Sequence, residues 1–268
     1  MNRPPRTARV LASALATGAL LVTAACAGDD ESTRATPAVE RPAAASSPSP
    51  SPSLTKDGAK AALITEADIE DAWTQVDDAA SWRDKLLTGK VDVAAFLTGK
   101  ADAADCQKLL DSVYDETVLG RPSGASALTG FTEGDSRLLY QVGEYGEKAL
   151  DKSLDWVENA TAKCDRFTVD GADGEQRTVD VVSMSLPKAG DARQGLTMTV
   201  QGNAGGEPVT LALDMAVVRV GGSGITVTNG GPSEVDHDST KTAVQQGAKR
   251  LKDVLAGKTP PADPGMFD

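Results

Sequence analysis

Histidine is almost missing from this chain: its 268 residues hold one, His237, and three cysteines, Cys26, Cys106 and Cys164. No C-x-x-C pair is present, so a metal centre built on imidazole and thiolate has too few ligands. Aromatic residues make up 4 % of the chain, which counts against a carbohydrate-binding surface of exposed aromatic platforms. Basic residues are outnumbered, with 27 Lys and Arg against 39 Asp and Glu and a formal net charge of −12. A nucleic-acid partner rewards the opposite balance and is excluded as an expectation. The longest uncharged apolar run, Val10 to Ala25, is shorter than the roughly 20 residues of a transmembrane helix. There is no internal repeat and no G-x-S-x-G elbow. The glycine run Gly221-Gly222-Ser223-Gly224 lacks the Lys-Ser/Thr of a phosphate loop.

What the N-terminus does contain is specific. Arg3, Arg6 and Arg9 precede the apolar run, and the run ends in Thr23-Ala24-Ala25-Cys26. A positive n-region followed by an apolar h-region is a secretory signal, and small residues before a Cys resemble a lipobox. Residues 1–25 are therefore expected to be a lipoprotein signal peptide, with Cys26 lipidated by acyl chains such as palmitate. Two acyl chains at about 0.8 kcal/mol per buried CH₂ make a stable anchor where one does not. The implied partner is the membrane, and the implied location is the outer face of the cell membrane. An ordinary signal peptide with an incidental Cys is the alternative. Cleavage removes three Arg, taking the charge from −12 to −15.

Residues 26–59 read as a tether, with Ser46-Ser47-Pro48-Ser49-Pro50-Ser51-Pro52-Ser53 at its centre. Such Pro/Ser composition is extended and solvated. Residues 60–258 have globular composition and enough length for one substantial core, and 259–268 form a C-terminal tail. In an exported, oxidising context the remaining pair Cys106 and Cys164 is expected to form a disulfide, two buried free thiols being the alternative.

Four helical segments are predicted. Thr65-Glu66-Ala67-Asp68 has the form of a capping box opening a short helix to about Trp73. A second helix spans about Asp102 to Asp115, with Cys106, Leu109, Leu110 and Val113 on one stripe. The third, Glu147 to Lys163, carries Leu150, Leu154, Val157, Thr161 and Cys164 at steps of one helical face. A last helix starts near Ser239 or Thr240, with Val244, Ala248, Leu251 and Leu255 aligned, and ends at Gly257 and Pro260. Between them lie strand signals: 126–132 and 137–143 around Glu133-Gly134-Asp135-Ser136, then 166–169, 177–186, 196–200, 209–217 and 225–227, joined by Gly-rich turns. The fold class is α+β: an antiparallel sheet of hairpin and meander with helices packed on it.

In this order the elements resemble the PknH-like extracellular sensor domains of actinobacteria. The resemblance rests on Leu63-Ile64-Thr65-Glu66-Ala67-Asp68-Ile69 as the opening helix and Asp105-Cys106 as the first Cys region. The hairpin strand Arg137–Gly143, followed by the helix from Trp156 to Cys164, completes it. It covers about residues 60–257. The family has two disulfides, and here one pair remains. The resemblance implies a cleft that binds an extracellular ligand, and it supplies no catalytic residues.

The candidate chemistry weighs as structure. His237, in Glu234-Val235-Asp236-His237-Asp238, has no partner set for a hydrolase. Asp170-Gly171-Ala172-Asp173-Gly174-Glu175 reads as a hairpin turn, because it lacks the spacing of a calcium loop. Asp68, Glu70, Asp71, Asp77 and Asp78 read as the solvated face of the first helix. Trp156, one position off the stripe of its helix, reads as core or cleft wall. Trp73 and Trp82 are the remaining tryptophans. The expectation is a non-catalytic, sensor-like ligand-binding lipoprotein without cofactor or metal. Its ligand would be an unidentified extracytoplasmic small molecule or lipid; a lipid or glycolipid carrier is the alternative.

Overall fold

The computed structural model describes residues 52–261 apart from 70–71, 81–86, 89–90, 93–95, 115–116, 172–173, 205 and 233. Cys26, most of the tether, Glu70, Asp71, Trp82 and Asp173 lie outside the described residues.

Packing begins upstream of residue 60. Leu54 is buried, and a short helix α1 (Lys56–Ala61), capped by the Thr55 hydroxyl, runs across the compositional boundary. The capping box at Thr65 and Asp68 forms: the Asp68 carboxylate accepts from the Thr65 backbone N–H at 2.8 Å and from its hydroxyl at 2.9 Å. It opens a single 3₁₀ turn, Glu66–Asp68, rather than a helix to Trp73. Ile69 at the C-cap is already extended, and a short strand β1 (Thr74–Gln75) follows. The two apolar residues four apart, Ile69 and Trp73, are both buried.

Two short strands, β2 (Leu87–Thr88) and β3 (Val91–Asp92), pair with each other. Then come β4 (Gly99–Ala101), α2 (Ala104–Tyr114), β5 (Ser126–Glu133), β6 (Ser136–Glu144) and α3 (Glu147–Lys163). The second half runs β7 (Arg166–Gly171), β8 (Gln176–Ser183), β9 (Ala192–Ala204), β10 (Glu207–Val220), β11 (Ser223–Pro232) and α4 (His237–Leu255). Nine strands form one antiparallel sheet in the order β1-β5-β6-β11-β10-β9-β8-β7-β4. The hairpins pair Glu133 with Ser136 and Val220 with Ser223. Each leaves a two-residue turn whose first position has positive φ, Gly134 at 54° and Gly221 at 58°; glycine adopts this without steric cost.

The sheet is covered on both faces. On one, α2 and α3 pack over Val179, Val181, Leu196, Met198, Val200, Leu211, Leu213, Met215 and Val217. On the other, α1 and α4 pack over Phe131, Leu138, Tyr140, Val142, Ala216, Val218, Ile225 and Val227. The central strand β10 contributes alternate residues to both cores, so its middle is buried without a break. The last helix begins earlier than Ser239: its N-cap is Asp236, whose carboxylate accepts from the Asp238 backbone N–H at 2.9 Å. Among the described residues no helix is long and apolar enough to cross a membrane.

Candidate functional site

The predicted cysteine pair exists. Cys106, near the start of α2, is bonded to Cys164 at the C-cap of α3, with Cα atoms 5.5 Å apart. Both helices bury the stripe expected of them, and both sulfurs lie inside the α2–α3 core. An exposed ion pair, Lys163 to Asp105 at 3.2 Å, joins the same two ends.

Beside the disulfide, between α2 and α3, lies a cleft of 340 Å³. Its wall is made by Lys108, Asp111 and Ser112 of α2, Lys152, Ser153 and Trp156 of α3, and Thr117, Val118 and Gly120 from the connection after α2. The Trp156 ring packs on the core edge while lining the cleft, so it serves both roles weighed for it. The Lys108 ammonium sits 4.2 Å from the centroid of that ring, within cation–π range. The Ser153 hydroxyl donates to the Leu119 carbonyl at 3.2 Å, tying the connection to α3, and the Ser112 hydroxyl donates to Leu109 at 2.8 Å.

A second polar cluster lies under the start of α4. Asp214 of β10 is wholly buried, and its carboxylate accepts from three sides. Nδ1 of His237 lies 2.8 and 2.9 Å from its two oxygens, Thr240 Oγ1 at 2.9 Å and Thr197 Oγ1 of the neighbouring strand at 2.7 Å. A carboxylate accepts, so Nδ1 carries the proton, and a neutral ring presents Nε2 as an acceptor. The network continues outward. Asn229 donates to the Asp236 carbonyl at 2.8 Å and to Thr240 Oγ1 at 3.1 Å, and the Trp73 indole donates to Ser239 Oγ at 3.0 Å. The Asp236 carboxyl is held below its ordinary range. Burial alone would raise it, but the Ser239 hydroxyl, the backbone N–H groups of Asp238 and Ser239, and the charge of His237 together lower it. His237 thus has an orienting carboxylate, while among the described residues no hydroxyl or thiol is bonded to its Nε2. The geometry is a base and its orienter without a nucleophile.

The acidic run divides. Asp77 and Asp78 are exposed, as a solvated face requires, but Asp68 is buried and ion-paired to Arg250 of α4 at 3.0 Å, with 2 % and 9 % of the two side chains exposed. The same guanidinium donates to the carbonyls of Pro261 at 2.9 Å and Ala61 at 3.3 Å. A capping-box Asp reads as surface because its three-residue periodicity says nothing of a partner 182 positions away. The turn at Asp170 is flanked by β7 and β8 as predicted, and Gly221-Gly222 is a hairpin turn. Among the described residues no three His, Cys, Asp or Glu side chains are grouped to hold a metal.

No protein-family profile matches the chain, and no curated protein matches it. Solved structures similar at low identity include the following two. The extracellular domain of PknH from Mycobacterium tuberculosis overlays with a TM-score of 0.40 and 11 % identity, over 77 % of this chain and 98 % of that one. An uncharacterised protein from Mycobacterium smegmatis gives a TM-score of 0.38 and 18 % identity, over 75 % of this chain and 97 % of that one. No family membership follows from values this low.

Proposed function

We propose that this chain is a membrane-anchored extracytoplasmic lipoprotein whose domain binds a ligand in the cleft between α2 and α3 and performs no chemistry on it. The observation that carries the binding reading is the cleft itself. It is 340 Å³, in the range of a small-molecule site, and its walls are held by the Cys106–Cys164 bond. The anchoring reading rests on the basic start, the apolar run and Thr23-Ala24-Ala25-Cys26.

The space between sheet and helices bears on the lipid-carrier alternative. On the α2–α3 face it is filled by Leu109, Leu110, Leu150, Met198 and Met215, and on the α4 face by Tyr140, Val244 and Leu251, all 2 % exposed or less. Filled cores leave the open, polar-rimmed cleft as the better place for a ligand, which favours a sensor over a carrier of acyl chains.

Two measurements test the proposal. In a bacterial host that processes lipoproteins, Cys26→Ala should move the protein from the membrane to the soluble fraction; retention at the membrane would defeat the anchor. A thermal-shift screen of the mature chain with envelope extracts should raise the midpoint. Absence of any shift would defeat the ligand-binding reading.

A further inference from the structure

We infer that the α2–α3 cleft selects an anionic ligand: a phosphate or carboxylate carried on a small aromatic or other planar body. The inference rests on the proposal that this cleft is a ligand site, and it adds the chemistry.

The first argument is charge. The chain carries a net −12, yet among the described residues the cleft is lined by two lysines, Lys108 and Lys152, and one acid, Asp111. That acid is engaged by its own helix, its carboxylate accepting from Gln107 Nε2 at 2.7 Å. Three lysines outside the cleft pair with nearby carboxylates: Lys163 with Asp105, Lys241 with Asp238, Lys258 with Asp253. Lys108 and Lys152 form no ion pair with a described residue. A polar cleft of unpaired cations in an acidic protein is complementary to an anion, and a charge-assisted hydrogen bond is the strong kind.

The second argument is donor inventory. Besides the two ammonium groups, the cleft offers the Thr117 hydroxyl and the Trp156 indole N–H, which takes no partner among the described residues. The Ser112 and Ser153 hydroxyls donate to the carbonyls of Leu109 and Leu119. Two ammonium groups, a hydroxyl and an indole N–H suit a ligand rich in acceptor oxygens.

The third argument is shape. Trp156 is half-buried and presents its ring to the cleft under the Lys108 ammonium. Lys108 is exposed, so an acid group that draws its ammonium off the ring leaves the indole for a planar ligand body, and one aromatic wall and one cation serve two parts of one molecule. The wall is preformed, because the disulfide, the Lys163–Asp105 pair and the Ser153–Leu119 bond fix α2 against α3. A preformed site loses less entropy on binding.

The test follows the indole N–H signal of Trp156 in ¹⁵N-labelled mature chain held in detergent, assigned by its loss in Trp156→Phe. The probes are phenyl phosphate, benzoate, inorganic phosphate, benzyl alcohol and benzylamine. Phenyl phosphate or benzoate should move the signal saturably, with inorganic phosphate weaker and benzylamine inert. Lys108→Gln and Lys152→Gln, both at exposed positions, should each weaken the anion about tenfold, as loss of one charge-assisted bond implies. A preference for phenyl phosphate over benzoate would identify a phosphate ligand, and the reverse a carboxylate. Equal binding of benzyl alcohol or benzylamine would overturn the anion inference and leave a ligand site standing. No movement by any probe, with envelope extracts still stabilising the chain, would remove this cleft as the anion site; no movement and no stabilisation would remove the ligand-binding proposal as well.

Discussion

The carboxylate of Asp214, in the middle of the central strand, lies 2.8 Å from Nδ1 of His237 on the first turn of the last helix. Asp214 is fully buried and His237 is half exposed on its side chain, so the contact runs from the inside of the sheet to its surface. A buried carboxylate is costly unless every lone-pair direction is met. Here the sheet supplies Thr197 and the helix supplies His237 and Thr240. The network therefore fixes where α4 starts on the sheet.

Removing the carboxylate should cost more than removing the imidazole. Asp214→Ala leaves two hydroxyls and a ring without their acceptor inside the protein and should destabilise the domain by about 3 kcal/mol. His237→Ala, at a site that water reaches, should cost about 1 kcal/mol. Urea denaturation of the two variants measures both. Equal losses, or no loss in Asp214→Ala, would show that the network does not hold the helix.

The second buried acid makes a different prediction. Arg250 binds Asp68 and the carbonyls of Ala61 and Pro261, so one guanidinium joins the segment leaving the tether to the segment after α4. Asp68→Ala should cost about 3–5 kcal/mol, because it strands a buried cation. Asp68→Leu combined with Arg250→Met should recover most of that loss, apolar replacement of a whole buried pair being near neutral. Denaturation midpoints of the singles and the double decide it; a double as unstable as the single would refute the pairing.

Much of this arrangement is legible along the chain. The α3 stripe from Leu150 to Cys164, the α2 stripe from Cys106 to Val113 and the Gly-centred hairpins stand in the sequence because local periodicity and turn chemistry control them. Asp214 and Arg250 do not stand out. In Leu211-Ala212-Leu213-Asp214-Met215 the Asp occupies the polar phase of an alternation that reads as water-facing, and only the arrival of α4 on that face turns it inward. Arg250 sits among Lys249 and Lys252, and its burial depends on segments nearly the whole domain away. A cleft and Trp156 as its wall can be expected from the sequence, but not the residue facing it: Lys108 and Trp156 are ordinary members of two helices until the disulfide brings those helices side by side.

That disulfide closes a loop with a sequence separation of 58. Loop-closure entropy alone gives about 4 kcal/mol for a loop of that length. Cys106→Ser with Cys164→Ser should lower stability by that order and loosen α2 from α3. Hydrogen exchange should then rise in α2 more than in α4, which packs on the other face and is held by Arg250 and Asp214. Uniform acceleration throughout both helices would contradict a local role for the bridge.

The cap of α4 predicts a pH dependence. Asp236 has its folded pKa held below the ordinary carboxylate range. Its contribution is therefore complete above the unfolded value of about 4 and fades as pH falls through the folded value. Asn caps a helix about as well as Asp but does not titrate. The gap in melting temperature between the parent and Asp236→Asn should be full above about pH 4 and shrink as the pH falls below it. A gap that widens on acidification would reverse the sign assigned to Asp236.

Gly247 sets helix propensity against packing. It lies in the middle of α4, where alanine would ordinarily stabilise by about 1 kcal/mol. A Cβ added there would stand 2.5 Å from the ring and the hydroxyl oxygen of Tyr140. Tyr140 cannot easily move aside. It is fully buried, sits on β6 beneath the helix, and its hydroxyl donates to the Ala62 carbonyl at 3.2 Å, beyond the end of α1. Displacing the ring would break that bond and disturb the packing of α1 against α4. Gly247→Ala should therefore destabilise, by about 1–3 kcal/mol as overpacked cores do. Tyr140→Phe alone should lose about 1 kcal/mol with the hydrogen bond. In Gly247→Ala with Tyr140→Leu, the missing ring should make room for the methyl, so the double should lose less than the two singles together. Additive losses would mean that the helix tolerates the methyl group by shifting along the sheet, and that the contact between Gly247 and Tyr140 does not set its position.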